Sequence, residues 1–306
     1  MSKNSALRHW LQLFRVPNLF TVPGDPLAGF LLAYGFTHAG TALLEPRAAV
    51  AVFASLCLYA AGLAMNDLCD FAEDQRERPD RPLTSGAISR RAASLACAAL
   101  AFAGISAMAA VAGKHGLVAA VVLATFIALY NGGLKRTPVI GALMMGACRG
   151  LSLLLGSVAC LGQIRPMPVP VFAGGVLIAL YIAAVTNLAR HETRASAPPL
   201  AKMLPLAPLL GALVLLSSLS MRPFQSAVAT VLAAAVVIVS AQVGGLFRAD
   251  APPLPPVIGA LIRVLLVVQA ALCLVYPASA HAMIVAAGLL LTLPVARAVG
   301  RRFYAS

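Results

Sequence analysis

The sequence predicts an all-α integral membrane protein, a bundle of nine or ten transmembrane helices. Three observations carry that expectation. First, 60% of the 306 residues are hydrophobic, 11% are charged, and the mean hydropathy is +0.89. A soluble domain carries about 25% charged residues, so this chain lacks the polar groups to cover a water-facing surface. Second, apolar segments of near membrane-spanning length recur along the whole chain. Third, the basic residues are spread unevenly over the connections between those segments.

Ten apolar segments can be marked, at about 18–37, 48–66, 93–113, 116–133, 138–161, 169–189, 204–221, 225–246, 256–276 and 281–298. Gly and Pro interrupt several of them, which packed neighbouring helices tolerate in a bilayer. At about twenty residues each they use roughly two-thirds of the chain. Residues 1–306 therefore read as one polytopic membrane domain. The opening MSKNSALRHWLQLFRVPNLF is basic and amphipathic, with no apolar core followed by a small-residue cleavage site. Residues 1–17 are expected to lie along the membrane surface.

Placing the N-terminus in the cytoplasm puts seventeen Lys and Arg residues on the inner side. Only Arg47, Lys114, Arg165 and Arg222 then fall outside, and Arg149 and Arg263 lie within spans. This asymmetry predicts both termini inside and an even number of spans. In a bacterium the membrane would be the inner, cytoplasmic one. The net charge of +13 thus reads as membrane anchoring, and no nucleic-acid partner is expected. The six cysteines and five histidines are scattered without metal-ligand spacing, which excludes a zinc site or a disulfide framework.

The informative stretch is NDLCDFAEDQRERPDRPLTSG, residues 66–86. Six of the ten acidic residues in the chain lie within fourteen positions here: Asp67, Asp70, Glu73, Asp74, Glu77 and Asp80. Residues 67–92 form a cytoplasmic loop in the predicted topology. Asn66, Asp70 and Asp74, spaced by four, are expected to line one helix face, with Asp67 one turn away. Like charges at this spacing repel, the more so beside hydrocarbon, and a divalent cation relieves the repulsion. Carboxylate and amide oxygens suit Mg²⁺, which is commonly shared with substrate phosphates. Arg78 and Arg81 follow in a Pro-stiffened turn, and guanidinium groups grip phosphate oxygens in bidentate fashion. Carboxylates beside arginines make a diphosphate site. The competing reading is a solvated, mixed-charge loop. It fits poorly with Asn66 and Asp67 following LCLYAAGLAM directly, with no polar spacer.

NDLCDFAED resembles the NDxxDxxxD motif of the UbiA-type intramembrane prenyltransferases, and RPLTSGAIS resembles the continuation of that motif. YNGGLKRTPVIG is similar to the family's Tyr…Leu-Lys-Arg turn entering the fifth helix. VPNLFTVPGDPLAGF, ACRGLSLLLG and the RRFY ending look most like the EboC-type branch. The resemblance covers most of the chain. It implies a UbiA-like helical bundle around a central cavity and Mg²⁺-dependent transfer of a prenyl group from an isoprenyl diphosphate to a small-molecule acceptor within the membrane lipids. It also implies that Asn66, Asp70 and Asp74 carry the metal and that Asp67 belongs to the catalytic motif. Arg78, Arg81, Lys135 and Arg136 would contact the diphosphate, and with only 6% aromatic residues a ring facing the allylic cation would come from few candidates, such as Tyr130, Phe126 or Tyr181.

The second aspartate-rich motif of that family is degenerate here. In YIAAVTNLARHETRA its aspartate positions fall on Ile182, Ala189, Glu192 and Thr193. Within the 190–203 loop Glu192 alone keeps a carboxylate for metal, with Asn187 and Arg190 offering an amide oxygen and a guanidinium to the substrate. The weakened motif keeps two rivals open, a non-catalytic scaffold that binds a prenyl lipid and a transporter. Arg149, in the middle of a span, is a candidate for catalysis or for holding an anionic group of the acceptor. Asp25 in TVPGDPLAG is its alternative partner in a structural ion pair.

Overall fold

The computed structural model describes residues 3–38, 43–164, 166–192, 197–218, 225–276 and 279–303. Helices account for the order of elements. These are α1 Lys3–Leu13, α2 Val16–Leu19, α3 Gly24–Thr37, α4 Pro46–Cys69, α5 Phe71–Glu77 and α6 Arg90–Asn131. A 3₁₀ turn at Leu134–Arg136 leads into α7 Pro138–Leu161, α8 Val169–Ala189, α9 Pro199–Met203 and α10 Leu206–Ser218. The last three are α11 Gln225–Gly245, α12 Leu254–Cys273 and α13 Ala280–Phe303. Proline occupies the first turn of α4, α7, α8, α9 and α12. Its missing N–H costs nothing there, and its fixed φ favours helix entry. Ser89 caps α6 by accepting from the Ala92 amide at 3.2 Å. Gly162 ends α7 at φ 65°.

Seven of these helices are long and apolar enough to cross a membrane. The 42-residue α6 counts among them once, but it is not one rod. Ala112 and Gly113 leave helical geometry, with Gly113 at φ 55°. A Cβ on Gly116 would collide with the carbonyl of Met108. In a continuous helix residues eight apart lie about 12 Å from each other. The chain therefore turns back on itself, and α6 is a hairpin of two arms, 90–111 and 114–131. With the shorter apolar rods α3 and α10, each of the ten segments expected from the sequence contains a helix. The protein is an integral membrane protein.

Close backbone approach holds the bundle together. Cβ atoms on Gly29, Gly156 and Gly146 would strike the carbonyls of Leu153, Pro26 and Ala179 respectively, so α7 packs on α3 and α8 at the distance only glycine permits. α12 is the most enclosed span, buried against α3, α8, α11 and α13. Tyr181 is fully buried and donates its hydroxyl to the Leu261 carbonyl at 2.8 Å. It packs between α8 and α12, which excludes the cavity-facing alternative for that ring.

Replacing Gly156 by leucine should lower the stability of the detergent-purified protein by about 1–3 kcal/mol or more, through overpacking against α3. Gly211→Ala, at a position with open space around it, should stay within about 0.5 kcal/mol of wild type. Thermal unfolding followed by circular dichroism compares the two.

Candidate active site

The acidic stretch does not form one stacked ladder. α4 ends at Asp70 (φ −89°, ψ 3°) and the chain continues as α5, so Asp74 sits on a separate short helix. The acids divide into two sets, each neutralised by its own cations. Asn66 and Asp70 face the 3₁₀ turn after α6. Lys135 Nζ lies 2.6 Å from Asp70 Oδ1 and donates to Asn66 Oδ1 at 3.0 Å. Gly141 lets this turn press against the start of α7, since a Cβ there would meet the Lys135 carbonyl at 2.7 Å. Asp67 and Asp74, both buried, face the loop that follows α5. Arg81 Nη1 is 2.5 Å from Asp74 Oδ2 and 3.8 Å from Asp67 Oδ1. Arg78 reaches Asp74 at 3.9 Å. The expectation of like charges aligned on one face is thus corrected: a cation from elsewhere in the chain meets each pair, which removes the repulsion that alignment would create.

The loop holding the arginines is tied locally. The Thr84 hydroxyl lies within 3.1 Å of the carbonyls of Arg78, Pro79 and Arg81. Gly86, at φ 75°, supplies the left-handed residue that the return to Ser89 requires. Leu83 and Ile88 are buried under the N-terminal segment, against Leu13, Trp10 and Phe14. Residues of the expected interfacial helix therefore clamp the site loop.

That clamp delivers a residue the sequence analysis did not single out. Arg15 adopts φ 43°, ψ 55°, the only positive φ outside glycine among the described residues. This conformation costs about 1–2 kcal/mol. It turns the guanidinium inward, where Nη2 donates to Asp67 Oδ1 at 3.0 Å. The available signal was local, an arginine just ahead of Val-Pro-Asn at the membrane boundary, but its partner lies 52 residues away.

Behind this mouth is a cavity of about 130 Å³ among α4, α6 and α7, with Arg15 at its edge. Arg15, Asn66, Tyr130 and Asn131 line its upper part, and Ser55, Tyr59, Ser152 and Arg149 its lower part. Asn131 is anchored by donating to the Gly62 carbonyl at 3.3 Å. Arg149 is buried and finds Asp25: Nε lies 2.9 Å from Asp25 Oδ2, and Nη2 donates to the Thr21 carbonyl at 2.7 Å. Gln269 of α12 donates to Asp25 Oδ1 at 2.6 Å and to the same Thr21 carbonyl at 2.7 Å. The structural ion pair anticipated for Arg149 is present, and the guanidinium still forms part of the cavity wall.

The second loop comes to the same end of the bundle. Arg190 Nη2 donates to the Arg136 carbonyl at 3.3 Å, and Arg190 Nη1 is buried without a partner among the described residues. Arg136 pairs with Glu73 at 3.3 Å on an exposed surface. Glu192 is exposed. Surrounding protein raises its pKa above the ordinary carboxylate value, and Arg78 pulls it back down. Ile182 is buried among apolar neighbours, and Thr193 and Arg194 lie outside the described residues. Asn187 is not brought to the mouth. It lines a different, apolar groove of about 690 Å³ between α7, α8 and α10, because its position on α8 turns it towards α10.

Of the residues expected at the site, the structure gathers Asn66, Asp67, Asp70, Asp74, Arg78, Arg81, Lys135 and Tyr130 around one mouth, with Arg136, Arg190 and Glu192 at its rim. It leaves Asn187 apart and sets Arg149 deep. Asn66 Oδ1 and Asp70 Oδ1 already converge on a positive charge, the Lys135 ammonium. No group of three or more His, Cys, Asp or Glu side chains is close enough to hold a metal among the described residues. That donor set fits Mg²⁺, which is typically held by one or two carboxylates and completed by water and substrate phosphates.

The fold and site define a polytopic helical membrane protein whose carboxylate-lined and cation-lined mouth opens on an internal cavity. The UbiA prenyltransferase family profile matches residues 27–246, and the chain belongs to that family. A digeranylgeranylglyceryl phosphate synthase of Methanopyrus kandleri is 36% identical over 170 residues, covering 53% of this chain and 56% of the relative. One from Methanoculleus marisnigri is 33% identical over 165 residues, covering 53% and 54%. The chain thus matches about half the length of these curated relatives. Among solved structures, a UbiA homologue from Aeropyrum pernix K1 in the apo state superposes with a TM-score of 0.63 at 19% identity, covering 83% of this chain and 96% of the other. A UbiA homologue from Archaeoglobus fulgidus bound to GPP and Mg²⁺ gives 0.61 at 18% identity, covering 85% and 99%.

Arg81→Ala should cost about 3 kcal/mol or more, because it strips the closest cation from the buried Asp74 and a second one from the buried Asp67. Removing the exposed Arg136 side chain should cost at most about 1 kcal/mol. Chemical unfolding of the two purified variants measures the difference.

Proposed function

We propose that the protein transfers a prenyl group from an isoprenyl diphosphate to a small acceptor inside the membrane, with the diphosphate held at the mouth by Mg²⁺ and by basic side chains. The observation that carries this reading is the convergence of Asn66 and Asp70 on a cation at the mouth of an enclosed cavity. The bound GPP and Mg²⁺ of the Archaeoglobus fulgidus homologue support the donor class. The excess of basic residues on one set of connections supports a mouth facing the cytoplasm.

Asn66 and Asp70 would hold the metal, with Asp74 freed as Arg81 turns to phosphate. When bound, Mg²⁺ supplies Lewis-acid neutralisation of the departing diphosphate. Lys135, Arg78, Arg81 and Arg136 stabilise the negative charge that grows on the leaving oxygen as the allylic C–O bond breaks. Arg190, one buried nitrogen of which has no partner among the described residues, adds a cation where the degenerate second motif lacks carboxylates. Asp67 holds Arg15 and Arg81 in place. Apolar walls keep water from the allylic cation until the acceptor attacks, and the Tyr130 ring faces it.

Asp70→Ala should lower Mg²⁺-dependent release of diphosphate from geranylgeranyl or farnesyl diphosphate at least about 100-fold. Chelation of Mg²⁺ should do the same to wild type. Tight binding of the lipid with no release under any condition would establish the scaffold instead.

A further inference from the structure

We propose that the apolar groove between α7, α8 and α10 binds one anionic phospholipid, with an acyl chain laid along the groove and the phosphate at the end marked by Asn187. This site is separate from the cavity behind the mouth and stands independently of the prenyl-transfer reading.

The groove has the shape of a chain. Ala173 and Asn187 both line it, and they lie fourteen residues apart on α8, about 21 Å at the rise of a helix. That exceeds one leaflet's share of the hydrocarbon core, about 15 Å. Protein does not fill the space. Leu180 on the α8 wall and Leu215 on the α10 wall are 47% and 54% exposed, and a Cβ on Gly211 would meet nothing within 4 Å. A chain laid there supplies the dispersion contacts that these walls lack. Lipid tails are as apolar as the walls, so the chain alone discriminates little between lipids, and the head group must supply selectivity.

The polar end carries that selectivity. Asn187 is the one polar side chain among the lining residues. Its amide has no hydrogen-bond partner among the described residues, and only its backbone carbonyl is engaged, accepting from the His191 ring at 3.1 Å. An unpaired amide beside hydrocarbon is costly, and a phosphate oxygen would accept from it. Two cations flank the same end. Arg190 follows Asn187 by three residues and donates to the Arg136 carbonyl, three residues before the groove-lining Val139. Lys202 stands two residues before the groove-lining Leu204 and donates to the Leu246 carbonyl at 2.8 Å. Neither meets a carboxylate among the described residues, whereas Lys135 and Arg136 both do. Uncompensated basic groups at the end of a recess between spans suit an acidic head group.

The test titrates the full-length protein, delipidated in detergent, with dioleoyl phosphatidylglycerol or dioleoyl phosphatidylcholine, and native mass spectrometry counts bound lipid. Wild type should bind one phosphatidylglycerol about tenfold more tightly than phosphatidylcholine. Gly211→Leu fills the groove and should weaken that first binding about tenfold or more, with no loss of thermal stability in the absence of lipid. Gly288→Leu, at a position that also has open space but lies outside the groove, should bind as wild type does. Asn187→Ala/Lys202→Gln should erase the preference for phosphatidylglycerol, which tests the polar end without touching the groove. Equal affinity for the two lipids in wild type overturns the proposal. So does a Gly211→Leu protein that binds as wild type, or a preference that survives in Asn187→Ala/Lys202→Gln. Displacement of phosphatidylglycerol by the unreactive farnesyl thiodiphosphate also overturns it, since the groove would then hold the tail of the prenyl donor.

Discussion

The site depends on a segregation of charge at the end of α4. Five acidic or amide side chains lie within the nine residues 66–74, and none is left without a cation or polar partner. Lys135 arrives from the turn after α6 to meet Asn66 and Asp70, while Arg81 and Arg15 meet Asp74 and Asp67. Taking buried carboxylates out of water is expensive, and only close, well-oriented cations offset it. The loop after α5, the N-terminal segment and the 3₁₀ turn are therefore placed by the acids they neutralise.

That arrangement also reconciles stability with chemistry. The ammonium of Lys135 sits between the Asn66 and Asp70 oxygens, which suit Mg²⁺. In the proposed reaction the same basic groups that neutralise the acids would receive phosphate. Exchange of partners, carboxylate to metal and cation to phosphate, would then keep every buried charge matched. The strained backbone of Arg15 belongs to the same scheme, since a residue held in the left-handed region persists only when its surroundings compensate. Here Asp67 and the packing of Leu13 under Leu83 and Ile88 provide that compensation.

Much of this was legible in the sequence. Composition and hydropathy made a membrane bundle unavoidable, and the ten apolar segments all contain helices. The pattern of Asn66, Asp70 and Asp74 with Arg78, Arg81 and Lys135 named the mouth. Periodicity erred on the geometry of the acids, because a spacing of four predicts a common face only while the helix continues, and α4 stops at Asp70. Asn187 was misplaced for a related reason: neighbourhood to Arg190 along the chain did not put it on the same side of α8. Arg15 escaped notice because nothing local distinguishes a pairing arginine from an anchoring one.

The sequence by itself determined the solvent the chain lives in, the apolar segments that become its helices and the residue types available for cation and phosphate chemistry. These follow from local composition and helical periodicity, which are properties of short stretches. Only the tertiary structure decided which carboxylate meets which cation, that α6 folds back as a hairpin, and that Arg149 is both paired with Asp25 and part of the cavity wall. Those outcomes depend on contacts between separate elements, from 7 positions apart for Asp74 and Arg81 to 244 for Asp25 and Gln269, fixed by glycine-mediated helix packing and by the need to match every charge removed from water.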